Sequence, residues 1–258
     1  MYFFKVWVRK GLLLVLAIWG ILFFYKIPLP SQEQIEKEII SYAPIQNETN
    51  QPVVKMNFKG FDYAITPLYS YDIRGLVVAE YSSDNFLDFY HKTDPANTRD
   101  LCLVWGKTIE NGAYQEVKYS HGEFTCYYKW TKPPKNSFDF TQLSNNHLLP
   151  INEKVAKAIK QAGIGDQVRI RGWLAKYEIS QNGELIGSRG TSTIRTDTGN
   201  GACETILVDN FEILKANNVL YKKLKQISIW VVCLMLIANM ALAFVPAEPK
   251  TKVKITLD

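Results

Sequence analysis

The sequence predicts a mainly β domain of the α+β class, a small mixed β-barrel, held between two transmembrane helices. Uncharged apolar runs lie near both ends of the chain, Gly11–Tyr25 and Ile227–Val245. The second run has 19 residues, enough to cross a hydrocarbon core of about 30 Å. Between the runs, segments rich in aromatic and β-branched residues alternate with turn residues, which is typical of strands.

This pattern divides the chain into five parts. They are an anchor at 1–29, a stalk helix and linker at 30–57, the barrel domain at 58–216, a second transmembrane helix at 217–246 and a tail at 247–258. The first run resembles a signal peptide in its basic start, but no small-x-small cleavage site follows it, which favours an anchor. Because Lys5, Arg9 and Lys10 precede that anchor, we expect both termini in the cytoplasm and the domain outside a bacterial plasma membrane.

The segment after the first anchor begins with helix signals. Ser31 and Gln34 fit a capping box, and the helix is predicted to end before Pro44. Residues 45–55 are polar and are expected to form a linker. From Phe58 the sequence predicts strands, among them a hairpin that turns at His121–Gly122.

The second half of the domain carries clearer signals. Asn152 is a predicted N-cap of a compact helix, and Gln181–Glu184 is a predicted turn between two strands. The helix, the strand GDQVRIRGWL and the final strand CETILVDNFEIL together resemble the closing half of an OB-fold-like barrel over residues 151–214. The resemblance implies a barrel whose strand face and loops recognise a ligand.

The polar stretch RGTSTIRTDTGNGACETILV, residues 189–208, can be interpreted in two ways. Asn200–Gly201 predicts a hairpin that pairs Thr191–Thr196 with Ala202–Val208, and its threonines suit an ordinary polar strand surface. Alternatively the stretch is a recognition site in which arginine holds an anionic group bidentately. The ligand-binding candidates are then Arg189, Arg195, Asp197 and Glu204.

A catalytic interpretation of the same stretch rests on Cys203 and His147. An anchored extracytoplasmic barrel with this pair and a nearby arginine resembles the sortase transpeptidases, which implies a thiol nucleophile supported by a histidine. The chain departs from the sortase pattern because Cys203 follows Gly-Ala and no arginine comes after it. The single Asp197–Gly199 triplet excludes an aspartic protease, which needs two such motifs.

The remaining cysteines suggest a disulfide. Cys102 and Cys126 lie in predicted strands of a domain placed outside the cytoplasm, where disulfides persist, so we expect them to be bridged and Cys203 to be free. Cys233 lies in the second membrane run. The three histidines lack paired-ligand spacing, and we predict neither a metal nor a cofactor.

These observations lead to one functional hypothesis with two alternatives. The first is a non-enzymatic, membrane-tethered binding or scaffolding domain of an envelope complex, with lipid contacts through basic residues at the membrane edges and protein partners or a homo-oligomer formed through Asn239. The first alternative is the sortase-like thiol acyltransferase or hydrolase that uses Cys203 and His147. The second is an inverted topology with a cytoplasmic nucleic-acid-binding barrel using Arg169 and Arg171, against which stands the absence of a concentrated basic patch.

Overall fold

The computed structural model describes residues 2–83, 91–130, 132–133 and 135–244. These residues form two compact units, one made of the two terminal helices and the other of residues 28–217. The larger unit is built around a sheet of eight strands. The predicted fold class, a mainly β domain flanked by two apolar helices, is therefore confirmed.

The terminal helices are α1 (Tyr2–Phe24) and α5 (Val219–Ala243). Residues Val6–Phe24 of α1 and the whole of α5 are long and apolar enough to cross a membrane, since a span needs about 20 mainly apolar residues. α5 begins directly after Asn218, whose side chain makes no capping hydrogen bond. The predicted cytoplasmic tail, 247–258, lies outside the described residues.

Within the described part of the larger unit, ten strands and three short α-helices are found. The strands are β1 (Ile45–Glu48), β2 (Val54–Phe58), β3 (Phe61–Ser82), β4 (Arg99–Val104), β5 (Val117–His121), β6 (Cys126–Trp130), β7 (Leu143–Pro150), β8 (Gln167–Gln181), β9 (Glu184–Arg189) and β10 (Cys203–Lys215). The helices are α2 (Lys37–Ile40), α3 (Lys107–Glu110) and α4 (Glu153–Gln161). β5 and β6 form a separate hairpin, and the other eight strands share one sheet.

Five of the strands close into a ring of hydrogen-bonded pairs. The order is β3, β4, β7, β10, β8 and back to β3, because β8 pairs with both β10 and β3. All neighbours in the ring are antiparallel except β7 and β10, which run parallel. The close approach of β8 to β10 requires Gly172, since a Cβ at that position would overlap the carbonyl oxygen of Leu207.

The main core is formed by one face of the ring strands, because successive strand side chains point to opposite faces. Val168, Ile170 and Leu174 of β8 are fully buried, as are Leu101 and Leu103 of β4. Burying each such side chain stabilises the fold by about 1.5–3 kcal/mol. The ring is therefore a rigid frame for the side chains on its other face.

Three local signals of the sequence are confirmed. The Asn152 side chain caps α4 by accepting a hydrogen bond from the backbone N–H of Val155 at 3.0 Å. Asn182 and Gly183 have the positive φ angles, 54° and 83°, that a tight turn between β8 and β9 requires. The β5–β6 hairpin turns directly after His121.

The segment before β3 differs from its prediction. Residues 31–44 form a 3₁₀ turn at Gln32–Gln34, which does carry the predicted capping box, and then only the four-residue α2. Residues 45–55, expected as a linker, contain β1 and the start of β2. Both strands pair with β3. Because β3 has 22 residues, it has backbone N–H and C=O groups that the ring strands do not use, and the polar segments form strands by hydrogen-bonding to these groups.

The hairpin predicted at Asn200–Gly201 is wrong. Residues 190–198 form no strand, and a 3₁₀ turn at Gly199–Gly201 leads into β10. β10 pairs with β7 over Cys203–Val208 and with β8 from Ile206, so over Ile206–Val208 both of its edges are already used. The Ser192 hydroxyl also accepts from the Ile194 N–H at 3.2 Å and donates to Asp197, and such local bonds compete with strand pairing.

Candidate active site

Three chemically active side chains lie side by side on three neighbouring strands. His147 of β7 is directly opposite Asp100 of β4. In the parallel pair β7–β10, Cys203 is opposite Asn145, two residues before His147. Because strand side chains alternate, Asp100, His147 and Cys203 all project from the same face of the ring.

These side chains form a continuous chain of polar contacts. His147 Nε2 lies 2.9 Å from Cys203 Sγ, and His147 Nδ1 lies 2.7 Å from Asp100 Oδ1. The second distance is that of an ion pair, although the ring N–H is not directed as in a linear hydrogen bond. Asp100 and His147 are 0% exposed, and Asn97 Nδ2 donates to Asp100 Oδ1 at 3.0 Å. The arrangement is that of a nucleophile, a base and a carboxylate that orients the base.

Burial governs the ionisation of the thiol. Burial, together with the carboxylates of Glu204 and Asp100, raises the pKa of Cys203 to about 11, against the opposing effect of Arg189. At neutral pH the resting side chain is therefore a neutral thiol. His147, which faces Sγ, is placed to take the proton as the sulfur attacks an electrophile, because only the thiolate is strongly nucleophilic.

A small cavity of about 90 Å³ adjoins the thiol. Cys203 and Asn145 form one side of it, the β5–β6 hairpin contributes Phe124 and Cys126, and Gly199 contributes from the turn before β10. A water molecule occupies about 30 Å³ of liquid, so the cavity accommodates a group of only a few heavy atoms.

The hairpin that covers the site is tied to the ring by a disulfide. Cys102 of β4 is bonded to Cys126 of β6, and Cys203 is a free thiol. Cys102 is also directly opposite Asn145, so the bridge starts in the same row of residues as the thiol.

Arg189 lies next to this cover. Its guanidinium carbon is 4.4 Å from the centre of the Phe124 ring, a cation–π distance. Its charge lowers the pKa of Cys203 and so favours the thiolate. Of the four predicted ligand-binding residues, Arg189 is therefore placed beside the thiol.

Arg195 and Glu204 form an ion pair with each other. Arg195 Nη1 lies 3.1 Å from Glu204 Oε1, with side chains 26% and 1% exposed. The same nitrogen donates to the Tyr71 hydroxyl at 3.0 Å, and the guanidinium stands 5.2 Å from the Trp105 ring centre. The Arg195 side chain is therefore engaged inside the domain by Glu204 and Tyr71.

Desolvation by burial raises the pKa of Glu204 from 4.5 to about 7, against the opposing effect of Arg195. Asp197 has a partner too, the Ser192 hydroxyl. The four residues predicted as one exposed patch are thus divided between two places, Arg189 beside the thiol and the Arg195–Glu204 pair on the opposite face of β10.

The arginines proposed for nucleic-acid contact are also paired. Arg169 makes two hydrogen bonds to Asp72, at 3.1 and 2.6 Å, and Arg171 contacts Glu212 at 2.9 Å. Among the described residues, no group of three or more side chains is arranged to hold a metal ion.

Sequence reasoning named Cys203 and His147 but missed Asp100. The signal that could have found it is a carboxylate at the start of the apolar run DLCLVW, since a charged residue in a buried strand normally has a partner. No protein-family model matches the chain, and neither a curated protein nor a solved structure is found to match it.

Proposed function

We propose that the protein is a membrane-tethered thiol hydrolase or acyltransferase. The observation that carries this proposal is the buried contact chain from Asp100 through His147 to Cys203, with distances of 2.7 and 2.9 Å. The polar stretch is then catalytic and not a binding site, because Arg195 and Glu204 are already hydrogen-bonded to each other. A binding role for those two residues would require their ion pair to open.

Each side chain has one role in the proposed reaction. His147 removes the thiol proton while Cys203 Sγ forms a bond to an acyl carbon, and the carbonyl π electrons move to oxygen. When the tetrahedral intermediate collapses, the bond to the leaving alcohol or amine breaks, and His147 returns the proton to that group. Asp100 holds the imidazole in the orientation that faces Sγ and stabilises its protonated form. Water or an acceptor amine then attacks the thioester and gives its proton to His147; the carbon–sulfur bond breaks, and His147 returns the proton to Cys203 Sγ.

The ring order supports a finer description of the domain. Five strands paired 1-2-3-5-4-1, with a helix between the third and fourth, agree with the OB-fold-like resemblance of residues 151–214. We therefore propose an OB-fold-like barrel in which the nucleophile opens the last strand. The Cys–His–Asp set goes beyond the sortase resemblance, which implied arginine as the third member.

The proposed location is the extracytoplasmic face of a bacterial plasma membrane, with both termini in the cytoplasm. Two helices able to span a membrane and the basic residues Lys5, Arg9 and Lys10 support it. The Cys102–Cys126 bridge supports it independently, because disulfides persist in oxidising compartments. Association through Asn239 of α5 remains a prediction.

The proposal is tested with p-nitrophenyl acetate, whose small acetyl group suits the cavity, on the full chain in detergent. We expect rapid release of p-nitrophenol and an acetyl thioester on Cys203, detected by peptide mass mapping. Cys203→Ala should abolish the adduct, and His147→Gln and Asp100→Asn should slow acetylation by about 10²-fold or more.

Two matched variants control for unspecific effects. Cys233→Ala removes the free thiol of α5. Asp94→Asn changes another buried carboxylate, one that accepts hydrogen bonds from Tyr63 and Tyr177. Both should acetylate like the unmodified protein. Undiminished acetylation of folded His147→Gln, or an adduct elsewhere than Cys203, would show that the contact chain is not catalytic.

A further inference from the structure

Asn145 is the polar side chain that faces Cys203 across the β7–β10 pair. It is opposite Cys203 in the register and lines the same cavity. It is only 4% exposed, so both ends of its carboxamide need partners inside the protein. Its position raises the question of what its second N–H does.

The carboxamide is fixed at two points. His121 Nε2 lies 2.7 Å from Oδ1, so the imidazole donates a hydrogen bond to the amide oxygen. One amide N–H donates to the backbone carbonyl oxygen of Phe124 at 2.9 Å. Both anchors belong to the β5–β6 hairpin and its turn, the same cover that the disulfide ties to the ring.

The other N–H has no comparably short contact. Asn145 Nδ2 lies 3.4 Å from His147 Nε2 and 4.0 Å from Cys203 Sγ. These distances are long for hydrogen bonds between nitrogen and its usual acceptors, for which about 2.7–3.2 Å is normal. The second N–H therefore lies beside the reacting sulfur, at the wall of the cavity that Asn145 and Cys203 share.

We propose that Asn145 Nδ2 stabilises the oxyanion formed when Cys203 attacks an acyl carbon, and that His121 positions the amide for this role. The inference rests on the proposed thiol chemistry. In the tetrahedral intermediate the oxyanion is bonded to the carbon that carries Sγ, so it lies on the cavity side of the sulfur. A donor 4.0 Å from Sγ then comes within reach of the developing charge, where about 2.7–3.1 Å is effective.

The oxygen carries more charge in the transition state than in the bound ester. An N–H that is already in position therefore lowers the activation barrier, because the protein does not have to reorganise during the reaction. One such donor accelerates the reaction by about 10²–10³-fold. His121 acts through Asn145. With Oδ1 held by His121 and one N–H by Phe124, rotation of the amide would break both bonds, so the remaining N–H keeps its direction.

Two reagents separate oxyanion stabilisation from activation of the thiol. Acetylation by p-nitrophenyl acetate passes through an oxyanion, whereas alkylation by iodoacetamide displaces iodide at a saturated carbon and forms none. Both begin with the loss of the Cys203 thiol proton. The ratio of the two rates on the full chain in detergent therefore measures the oxyanion contribution alone.

We expect Asn145→Ala to lower acetylation by about 10²-fold while alkylation falls far less. His121→Ala should lower the same ratio with Asn145 still present, and His121→Gln, which retains a donor, should recover part of it. If Asn145→Ala does not fold, which its far-UV circular dichroism and melting would show, the two His121 variants carry the test.

The outcomes distinguish this inference from the proposed function. Equal losses of acetylation and alkylation in the Asn145 and His121 variants would overturn the oxyanion role and leave a structural one. No loss of either rate in His147→Gln would instead refute the proposed function, whatever Asn145 does.

Discussion

Glu204→Gln is expected to stabilise the protein above pH 7 and to change little near pH 4. Burial raises the pKa of Glu204 from 4.5 to about 7. Between these two values the native carboxyl keeps its proton while the unfolded chain has lost it. The native state then binds more protons than the unfolded state, so the free energy of unfolding falls as the pH rises through this window.

The magnitude follows from the width of the window. At 1.36 kcal/mol for each pH unit, the interval from 4.5 to about 7 corresponds to roughly 3 kcal/mol. Solvent screening does not reduce it, because the side chain is 1% exposed. Glutamine resembles the protonated acid in shape and can still accept from Arg195, so the variant should keep the contact and lose the pH dependence.

The measurement is urea unfolding of the full chain in detergent between pH 4.5 and 8.5, followed by near-UV circular dichroism. Glu212→Gln is the matched control, since Glu212 lies on the same strand and its side chain is 42% exposed in an ion pair with Arg171. It should change stability by about 0.5 kcal/mol or less. An unmodified protein whose stability rises from pH 5 to 7, or a Glu204→Gln protein with an unchanged slope, would refute the reasoning.

Two further predictions concern the thiol and the topology. Because the pKa of Cys203 is about 11, its alkylation by iodoacetamide in the Cys233→Ala background should accelerate about tenfold per pH unit from pH 7 upward. A plateau near neutral pH would indicate a thiolate–imidazolium pair instead. Alkaline phosphatase fused at the C-terminus should be inactive, and fused after residue 120 it should be active. The opposite pattern would place the domain in the cytoplasm.

The parts of the fold that the sequence predicted are those decided by neighbouring residues. The Asn152 cap and the turn at Asn182–Gly183 each depend on a few adjacent residues and their backbone angles. The two apolar helices follow from the absence of charge over their length. In each case the local preference and the tertiary environment agree, which is why the prediction succeeds.

The predictions fail where the pairing of strands that are distant in the sequence determines the structure. Asn200–Gly201 carries a strong hairpin signal, yet residues 190–198 form no strand, and β10 pairs instead with the distant strands β7 and β8. Asp100 could not be assigned from the sequence, because its place beside His147 depends on the register of two strands almost fifty positions apart along the chain. Cys203 lies on a third strand, β10, whose parallel pairing with β7 is not predicted by any local sequence pattern.

The position of the disulfide is explained by the different contributions of the ring and the β5–β6 hairpin to the candidate site. The triad needs only the ring, since β4, β7 and β10 each supply one member and their register fixes the spacing. The cavity wall and the anchors of Asn145 need the β5–β6 hairpin, which pairs with no strand of the ring. Cys102–Cys126 joins these parts within the row that contains Cys203. In the proposed mechanism the bridge therefore holds the hairpin that orients the Asn145 carboxamide, while Cys203 and His147 are held by the ring without it.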